Sequence, residues 1–177
     1  MGRELILLRH AKSAWDTDAP TDFERPLAKR GRRDAPRMGR WMAKQGIQPD
    51  LVICSPAERT KQTMVFIAKE MGIKKKILLW DDRVYGASLE DLLLVLNGVS
   101  KSAMRVMLVG HNPGLELLLS FLVGPDKQGS IYGFGLIKTS TLVQLSMPDQ
   151  WQDLAVGCAQ VQQIMSPKDF KDKKDKK

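Results

Sequence analysis

The chain has 177 residues, 43% of them hydrophobic, and a formal net charge of +8 at pH 7. This length suits one domain that buries roughly 70% of the surface of its unfolded chain. No long apolar segment stands near the N-terminus, which argues against a signal peptide or a membrane anchor and predicts a cytoplasmic protein with no membrane partner.

The first predicted element is a strand that ends in charged residues. The apolar run LILL (5–8) is typical of a strand buried on both faces, although four residues alone do not exclude a piece of buried helix. Arg9, His10 and Lys12 follow directly. Their side chains are therefore expected just beyond the end of this strand.

The next element, residues 28–45, is predicted as a helix in which Pro36 causes either a kink or a late start. Residues 25–45 hold eight Lys or Arg against one acidic residue, a net charge of +7. Such a cluster could bind RNA, but no aromatic-rich sheet motif, zinc-finger spacing or GxxG loop accompanies it. Attraction of an anionic substrate is the simpler explanation, so no nucleic-acid partner is expected.

A second apolar strand, LVICS, ends at Ser55. Ser55 is predicted as the N-cap of the following helix, with Pro56 at the first helical position and Glu58 completing a capping box. This helix is predicted to end at Gly72. Arg59 then lies in its first turn, beside free backbone N–H groups and the positive end of the helix dipole, which is a favourable place for an anion.

A third apolar strand, RVMLVGH, ends at His111. Asn112 is predicted as the N-cap of the next helix, with Pro113 at the first helical position. An apolar sequence then continues to Gly124, which predicts a helix up to that residue. His111 is thus expected in the turn between strand and helix.

The predicted elements alternate between strands and helices. The remaining ones are the strands ILLW (77–80) and TLVQLSM (141–147) and a helix from Ser88 to Gly98. This alternation predicts an α/β fold, a single domain with a mostly parallel central sheet and helices on both faces. In such sheets ligands bind beyond the carboxyl ends of the strands. The side chains expected to collect there are Arg9, His10, Arg59 and His111.

The last ten residues have a different composition. The segment KDFKDKKDKK (168–177) holds six Lys and three Asp and has no apolar residue after Phe170. It cannot offset the entropy of ordering, so it is predicted to be a disordered tail after a domain that covers residues 1–167.

Two arginines, two histidines and a helix N-terminus in one crevice predict a phosphoryl site, because guanidinium groups match phosphate oxygens bidentately. A cysteine phosphatase loop needs five residues between Cys and Arg, whereas Cys54 and Arg59 enclose four. No GxxxxGK[ST] loop is present, and Asp81-Asp82 has no second acidic cluster for a two-metal site. Cys54 and Cys158 form no CxxC pair and are expected as free thiols. Histidine remains as the candidate nucleophile, with no metal or cofactor expected.

Three motifs together resemble the histidine phosphatase superfamily. LLRHAKS is similar to its RHG signature, with Ala11 in place of the usual Gly, and SPAERTKQT (55–63) and VGHNPG (109–114) match its second and third motifs in order. With DFERPLAKRGRRDA, they look most like the SixA-type phosphohistidine phosphatases. The resemblance covers residues 4–124 strongly and implies a phosphoglycerate mutase-like fold, with residues 1–167 as the histidine phosphatase domain.

The resemblance also implies roles for the four strand-end residues. His10 would be the nucleophile that becomes phosphorylated, and Arg9 and Arg59 would bind phosphate oxygens. His111 would donate a further hydrogen bond as charge builds on those oxygens. For attack, His10 must present a neutral nitrogen, so its other nitrogen is expected to donate to a backbone carbonyl.

Four further residues have weaker assignments. Arg25, within ERPL, resembles an additional arginine of the phosphate pocket, although a solvated charge would look the same in the sequence. Ser13 and Asn112 could donate hydrogen bonds to phosphate or cap turns, and capping is favoured for Asn112. Lys12 is expected at the rim of the pocket.

The predicted site lacks an obvious general acid. Members of the superfamily that cleave phosphate esters use a Glu or Asp to protonate the departing alkoxide. Here the residue after His111 is Asn112. The loop after the predicted strand ILLW (77–80) offers Asp81, Asp82 and Tyr85. A phosphoramidate nitrogen takes up its proton more readily than an alkoxide, which favours a phosphohistidine phosphatase acting on a phosphorylated partner protein.

Two other functions stay open at this point. One is a phosphatase for small phosphate monoesters such as sugar phosphates, with Asp81 or Asp82 as the acid. The other is a non-catalytic module that binds phosphate or nucleic acid.

Overall fold

The structure, a computed structural model, describes residues 2–125 and 137–170. Its described residues form a six-stranded sheet with the order β3-β2-β4-β1-β5-β6. The strands are β1 (Arg3–Arg9), β2 (Leu51–Cys54), β3 (Leu78–Trp80), β4 (Arg105–Gly110), β5 (Leu142–Met147) and β6 (Gln160–Met165). The helices are α1 (Lys29–Lys44), α2 (Glu58–Met71), α3 (Leu89–Asn97) and α4 (Gly114–Val123), with short 3-10 turns at Lys75–Ile77 and Asp82–Val84.

The sheet is parallel on one side and antiparallel on the other. Strands β1 to β4 run parallel, whereas β5 is antiparallel to both β1 and β6. The predicted single α/β domain with a mostly parallel sheet is therefore confirmed. Arg9 lies in register with Gly110, and Cys54 with Val109. The loops that follow β1, β2 and β4 consequently start side by side at one edge of the sheet.

Helices cover both faces of the sheet, as predicted. Ile6 and Leu8 of β1 pack against α1 and α2 on one face. Leu5 and Leu7 pack against α3 and α4 on the other. All four side chains are fully buried, which explains why the run LILL does not alternate with polar residues.

The start of α2 differs from the prediction. The helix begins at Glu58, its N-cap is Ala57, and no side chain caps it. The predicted capping box with Ser55 as N-cap is therefore wrong. The physical reason is that the Ser55 hydroxyl lies 2.7 Å from a ring nitrogen of His111 and also accepts a hydrogen bond from the Ala57 N–H. Gly72 ends this helix in the left-handed region, as predicted.

The start of α4 differs as well. Its N-cap is Pro113, which follows a cis peptide bond, and the helix begins at Gly114. The predicted N-cap role of Asn112 is therefore wrong. The Asn112 side-chain amide instead donates to the Glu116 carboxylate at 2.7 Å and to the Ile137 carbonyl at 2.9 Å.

Other elements follow the sequence more closely. α3 has the predicted cap at Ser88, which forms a capping box with Asp91. α1 begins at Lys29 and contains Pro36, so the late start considered for this helix is wrong. β6 was not predicted, because its sequence QVQQIM is polar and only partly buried at the edge of the sheet.

The described residues extend to Phe170, three residues past the predicted end of the domain at residue 167. Phe170 stacks on Trp41 of α1 with ring centroids 5.6 Å apart. Residues 171–177 of the predicted tail lie outside the described residues. No helix in the described part of the chain is long and apolar enough to cross a membrane.

Candidate active site

The sheet brings the two histidines of the chain together. His10 directly follows β1 and His111 directly follows β4, and these strands are neighbours. Their imidazole centroids lie 5.0 Å apart, with the ring planes tilted by 52°. Two rings at this distance can contact the same phosphoryl group.

His10 is held by a backbone hydrogen bond. Its Nδ1 lies 2.7 Å from the Ala11 carbonyl oxygen. Because a carbonyl can only accept, Nδ1 carries the proton, and the lone pair is on Nε2. The Ala11 N–H is in turn held by the Thr63 hydroxyl at 3.0 Å. The expected hydrogen bond from His10 to a backbone carbonyl is thus present.

Burial and nearby cations keep His10 neutral. The residue is 7% exposed. Desolvation, and then the charges of Arg59, Arg9 and Arg25, lower the pKa of His10 to about 4 against the opposing effect of its hydrogen bond to Ala11. At neutral pH the imidazole is therefore an available nucleophile.

His111 is fixed by hydroxyl groups that sequence reasoning did not assign to the site. Its Nε2 lies 2.7 Å from the Ser55 hydroxyl and 3.4 Å from that of Thr60. Its buried Nδ1 has no hydrogen-bond partner among the described residues. Desolvation, the neighbouring His10 and the charge of Arg59 lower the pKa of His111 to about 3. A bound phosphate dianion would favour its protonated form.

Arg59 is buried and Arg9 is half-buried beside these rings. Arg9 donates from Nη1 to the Ile137 carbonyl at 2.7 Å. Arg59 donates from Nη1 to the Asp22 carbonyl at 2.6 Å and from Nη2 to the Asp22 carboxylate at 2.9 Å. The buried Nε groups of both arginines have no hydrogen-bond partner within the described residues. They are donors suited to an anion.

Asp22 is a site residue that sequence reasoning missed. Its carboxylate accepts from Arg59 Nη2 at 2.9 Å, from Arg25 Nε at 2.9 Å and from the Tyr85 hydroxyl at 3.0 Å. Partial burial would raise the pKa of Asp22, but the hydrogen bonds from Arg25 and Tyr85 and the charge of Arg59 hold it below its ordinary value. Asp22 is therefore an anion that orients Arg59. Its sequence signal is its place in DFERPL, three residues before Arg25.

Arg25 and Ser13 lie in the segment between β1 and α1. Arg25 donates to the Ala14 carbonyl at 3.1 Å, and its guanidinium lies 3.9 Å from the centre of the Trp15 ring. Its charge also contributes to the lowered pKa of His10, which places it close to the site. Ser13 is buried, and its backbone pairs with Leu27.

The remaining predicted residues are less suited to chemistry on a phosphate. The amide nitrogen of Asn112 uses both hydrogens in the contacts described above, which leaves no N–H for a phosphate oxygen. Asp81 accepts hydrogen bonds from Arg83 Nε and Nη2 at 3.0 and 2.6 Å, and these lower its pKa. A carboxyl group held as an anion is a poor proton donor. Among the described residues, no group of three or more His, Cys, Asp or Glu could hold a metal ion.

The lowered histidine pKa values predict the pH dependence of stability. Above pH 6.5 both histidines are neutral in the folded and the unfolded chain. Below this pH the histidines of the unfolded chain become protonated. In the folded protein, His10 becomes protonated only near pH 4 and His111 only near pH 3. The free energy of unfolding is therefore expected to fall as the pH drops from 6.5 to about 3, with up to about 3 kcal/mol from His10 lost by about pH 4.

Urea unfolding at pH 7, 5 and 4 measures this effect. The His10→Gln variant serves as the control, because it keeps the other acid-sensitive groups. An equal loss of stability in both proteins would contradict the assignment of a buried neutral imidazole to His10.

Two histidines that follow parallel strands, with two arginines beside them, are the arrangement that the sequence motifs predict for a histidine phosphatase. The sequence profile of the histidine phosphatase superfamily (branch 1) matches residues 5–82. An uncharacterized protein of Mycobacterium tuberculosis is 31% identical over 155 residues, which cover 86% of this chain and 94% of the relative. The chain belongs to the histidine phosphatase superfamily, which confirms the resemblance of its motifs.

Solved structures agree with this assignment. A protein from Agrobacterium tumefaciens assigned as the phosphohistidine phosphatase SixA superposes with a TM-score of 0.80 at 27% identity, covering 94% of this chain and 99% of that one. A second protein with the same assignment, from Nakamurella multipartitia, gives a TM-score of 0.78 at 29% identity, covering 94% and 97%. A 2,3-bisphosphoglycerate-dependent phosphoglycerate mutase of Methylorubrum populi is 38% identical, but over 41% of this chain and 35% of its own length.

Proposed function

We propose that this protein is a phosphohistidine phosphatase that dephosphorylates a histidine of a partner protein through a phosphorylated intermediate on His10. The observation that carries the proposal is the state of His10, whose Nδ1 donates to the Ala11 carbonyl at 2.7 Å. Nε2 is therefore free to act as a neutral nucleophile. The centroids of the His10 and His111 rings lie 5.0 Å apart.

The reaction has two displacement steps. In the first, Nε2 of His10 forms a bond to phosphorus, and the bond between phosphorus and the substrate nitrogen breaks. Arg9 and Arg59 donate to the oxygens that do not react, and His111 adds a further N–H donor. In the second, a water oxygen bonds to phosphorus and both water protons remain with the phosphate that forms. The bond to His10 breaks, and its electron pair returns to Nε2. Phosphate leaves, and His10 returns to its neutral form with the proton still on Nδ1.

The state of the nearby carboxylates supports a nitrogen leaving group. Hydrogen bonds hold both Asp22 and Asp81 as anions. Neither can easily protonate an alkoxide, which a sugar phosphate would release. An imidazole can leave with its own second N–H in place, so it requires less assistance.

The rim of the site supports a protein as the substrate. Trp15 is 74% exposed although its ring contacts the guanidinium of Arg25, so it offers an ordered apolar surface near the phosphate-binding groups. Exposed tryptophans are common anchors of protein interfaces. The two relatives assigned as SixA also carry the name of phosphohistidine phosphatases.

A comparison of substrates tests this proposal. We expect kcat/KM for a phosphohistidine peptide to exceed that for sugar phosphates by at least about tenfold, because a nitrogen leaving group needs less acid catalysis. Release of inorganic phosphate measures both. A clear preference for the sugar phosphates would instead favour a phosphatase for small phosphate monoesters. The cytoplasmic location and the lack of a nucleic-acid partner stay predictions.

A further inference from the structure

The first turns of α1 carry an array of cations beside the candidate active site. We define the cationic face as Lys12, on the loop after β1, together with Lys29, Arg30, Arg32 and Arg33. The four helical members are exposed. Since α1 follows the loop that leaves the carboxyl end of β1, its first turn stands at the same edge of the sheet as His10.

The contact between α1 and the nucleophile loop is direct. The Ala28 N–H donates to the Lys12 carbonyl at 2.8 Å. Gly31, in the first turn of α1, lies so close to this carbonyl that a Cβ would overlap it. The cationic face therefore begins two residues from His10 in the chain and adjoins the rim of the site.

The placement of these charges does not help α1 to fold. The amino end of a helix carries the positive end of its dipole, which favours acidic residues and disfavours Lys and Arg. α1 has no acidic residue in its first turn, and no side chain caps it at Ala28. A helix start built for stability would have the opposite charge pattern, so the cations call for another explanation.

One buried carboxylate fixes part of the array. Asp34, with its side chain 6% exposed, lies 3.2 Å from Arg30 and 3.0 Å from Arg33. The two arginines remain about half exposed or more, at 49% and 63%. Lys29 and Arg32 form no ion pair with residues that the structure describes. The face thus keeps a net positive charge, and two of its groups are held in place before a partner binds.

We propose that the cationic face binds an acidic surface of the protein substrate next to its phosphohistidine. This inference rests on the proposed function and names the class of partner. On a helical partner, side chains one turn away from the phosphohistidine lie roughly 5–6 Å from it. Glu or Asp at such positions would meet α1 while the phosphoryl group contacts His10. Attraction between complementary charges would also speed the encounter.

Two phosphohistidine peptides of equal length test the inference. One carries Glu and Asp on both sides of the phosphohistidine, and the other carries Ser and Gly. We expect the protein to prefer the acidic peptide in kcat/KM by about tenfold at low ionic strength. The preference should shrink as KCl rises from about 0.02 M to about 0.3 M, because salt screens exposed charges.

A pair of double variants locates the effect. Lys29→Glu with Arg32→Glu is expected to remove the preference, lowering kcat/KM for the acidic peptide by about tenfold more than kcat/KM for the neutral peptide. The matched control is Lys75→Glu with Lys76→Glu. These two exposed lysines directly precede β3, at the amino ends of the parallel strands, whereas His10 lies at their carboxyl ends. The control makes the same change in net charge and should keep the preference.

Each outcome decides between the proposals. Hydrolysis of the neutral peptide without a preference for the acidic one would overturn the cationic face and leave the proposed function intact. Failure to hydrolyse either peptide would overturn the proposed function itself. If a short single-stranded RNA binds the wild type, loses affinity in the α1 variant and inhibits both peptides equally, the face is a nucleic-acid site and the inference is wrong.

Discussion

Replacement of His10 by glutamine is expected to lower phosphatase activity by at least about 10³-fold, because the side-chain amide of glutamine cannot form the phosphorylated intermediate. The same variant should no longer incorporate acid-labile, alkali-stable phosphate from a phosphohistidine peptide. Glutamine is close to histidine in size and neutral, so the buried site should stay folded. Phosphate release and rapid-quench labelling of the protein measure the two effects.

His111→Gln provides the comparison for this prediction. It also removes an imidazole of the site, half-buried and 5.0 Å from the first, but not the nucleophile. We expect slower turnover with the phosphorylated intermediate still detectable on His10. Turnover that survives in His10→Gln, or label that appears on His111 in the wild type, would show that the nucleophile is assigned to the wrong residue.

Replacement of Arg59 by alanine is expected to lower kcat/KM by about 10² to 10³-fold. A guanidinium 4 Å from a phosphate charge contributes about 4 kcal/mol at an effective dielectric of 20, before desolvation is subtracted. Each 1.36 kcal/mol of lost transition-state stabilisation costs about a factor of ten. Arg59→Lys should recover only part of the loss, since an ammonium cannot contact Asp22 and a phosphate oxygen in the same bidentate geometry.

Arg40→Ala is the matched control, because Arg40 is an exposed arginine of α1 that pairs with Glu70 at 2.9 Å. Its loss should change activity little and the free energy of unfolding by about 1 kcal/mol or less. Thermal unfolding of all variants separates loss of function from loss of fold. Equal activity in Arg59→Ala and Arg40→Ala would remove Arg59 from the phosphate-binding groups.

Sequence patterns were sufficient to place the strand-end residues. An apolar run that is buried on both faces must end where charged residues begin, so the residues that follow it emerge at the end of the strand. This argument predicts the positions of His10 and His111 without any tertiary contact. The motifs of the superfamily then supplied roles that spacing alone does not give.

Other parts of the site depend on contacts between segments far apart in the chain. Asp22 contacts Arg59 across 37 positions, and Ser55 contacts His111 across 56. The local sequence predicts Ser55 as the N-cap of α2. This prediction is wrong because the Ser55 hydroxyl forms a tertiary hydrogen bond with His111. β6 was not predicted because an edge strand rich in Gln lacks the apolar periodicity of a buried strand. Its place in the sheet depends on its pairing with β5.

The acceptor that holds the His10 ring is an uncharged peptide oxygen and not a carboxylate. A carboxylate would draw the Nδ1 proton toward itself and push electron density into the ring, which makes Nε2 more basic and its bond to phosphorus stronger. With a peptide oxygen in that place, the imidazole is a better leaving group. The phosphoryl group on His10 is therefore expected to transfer readily to water in the second step.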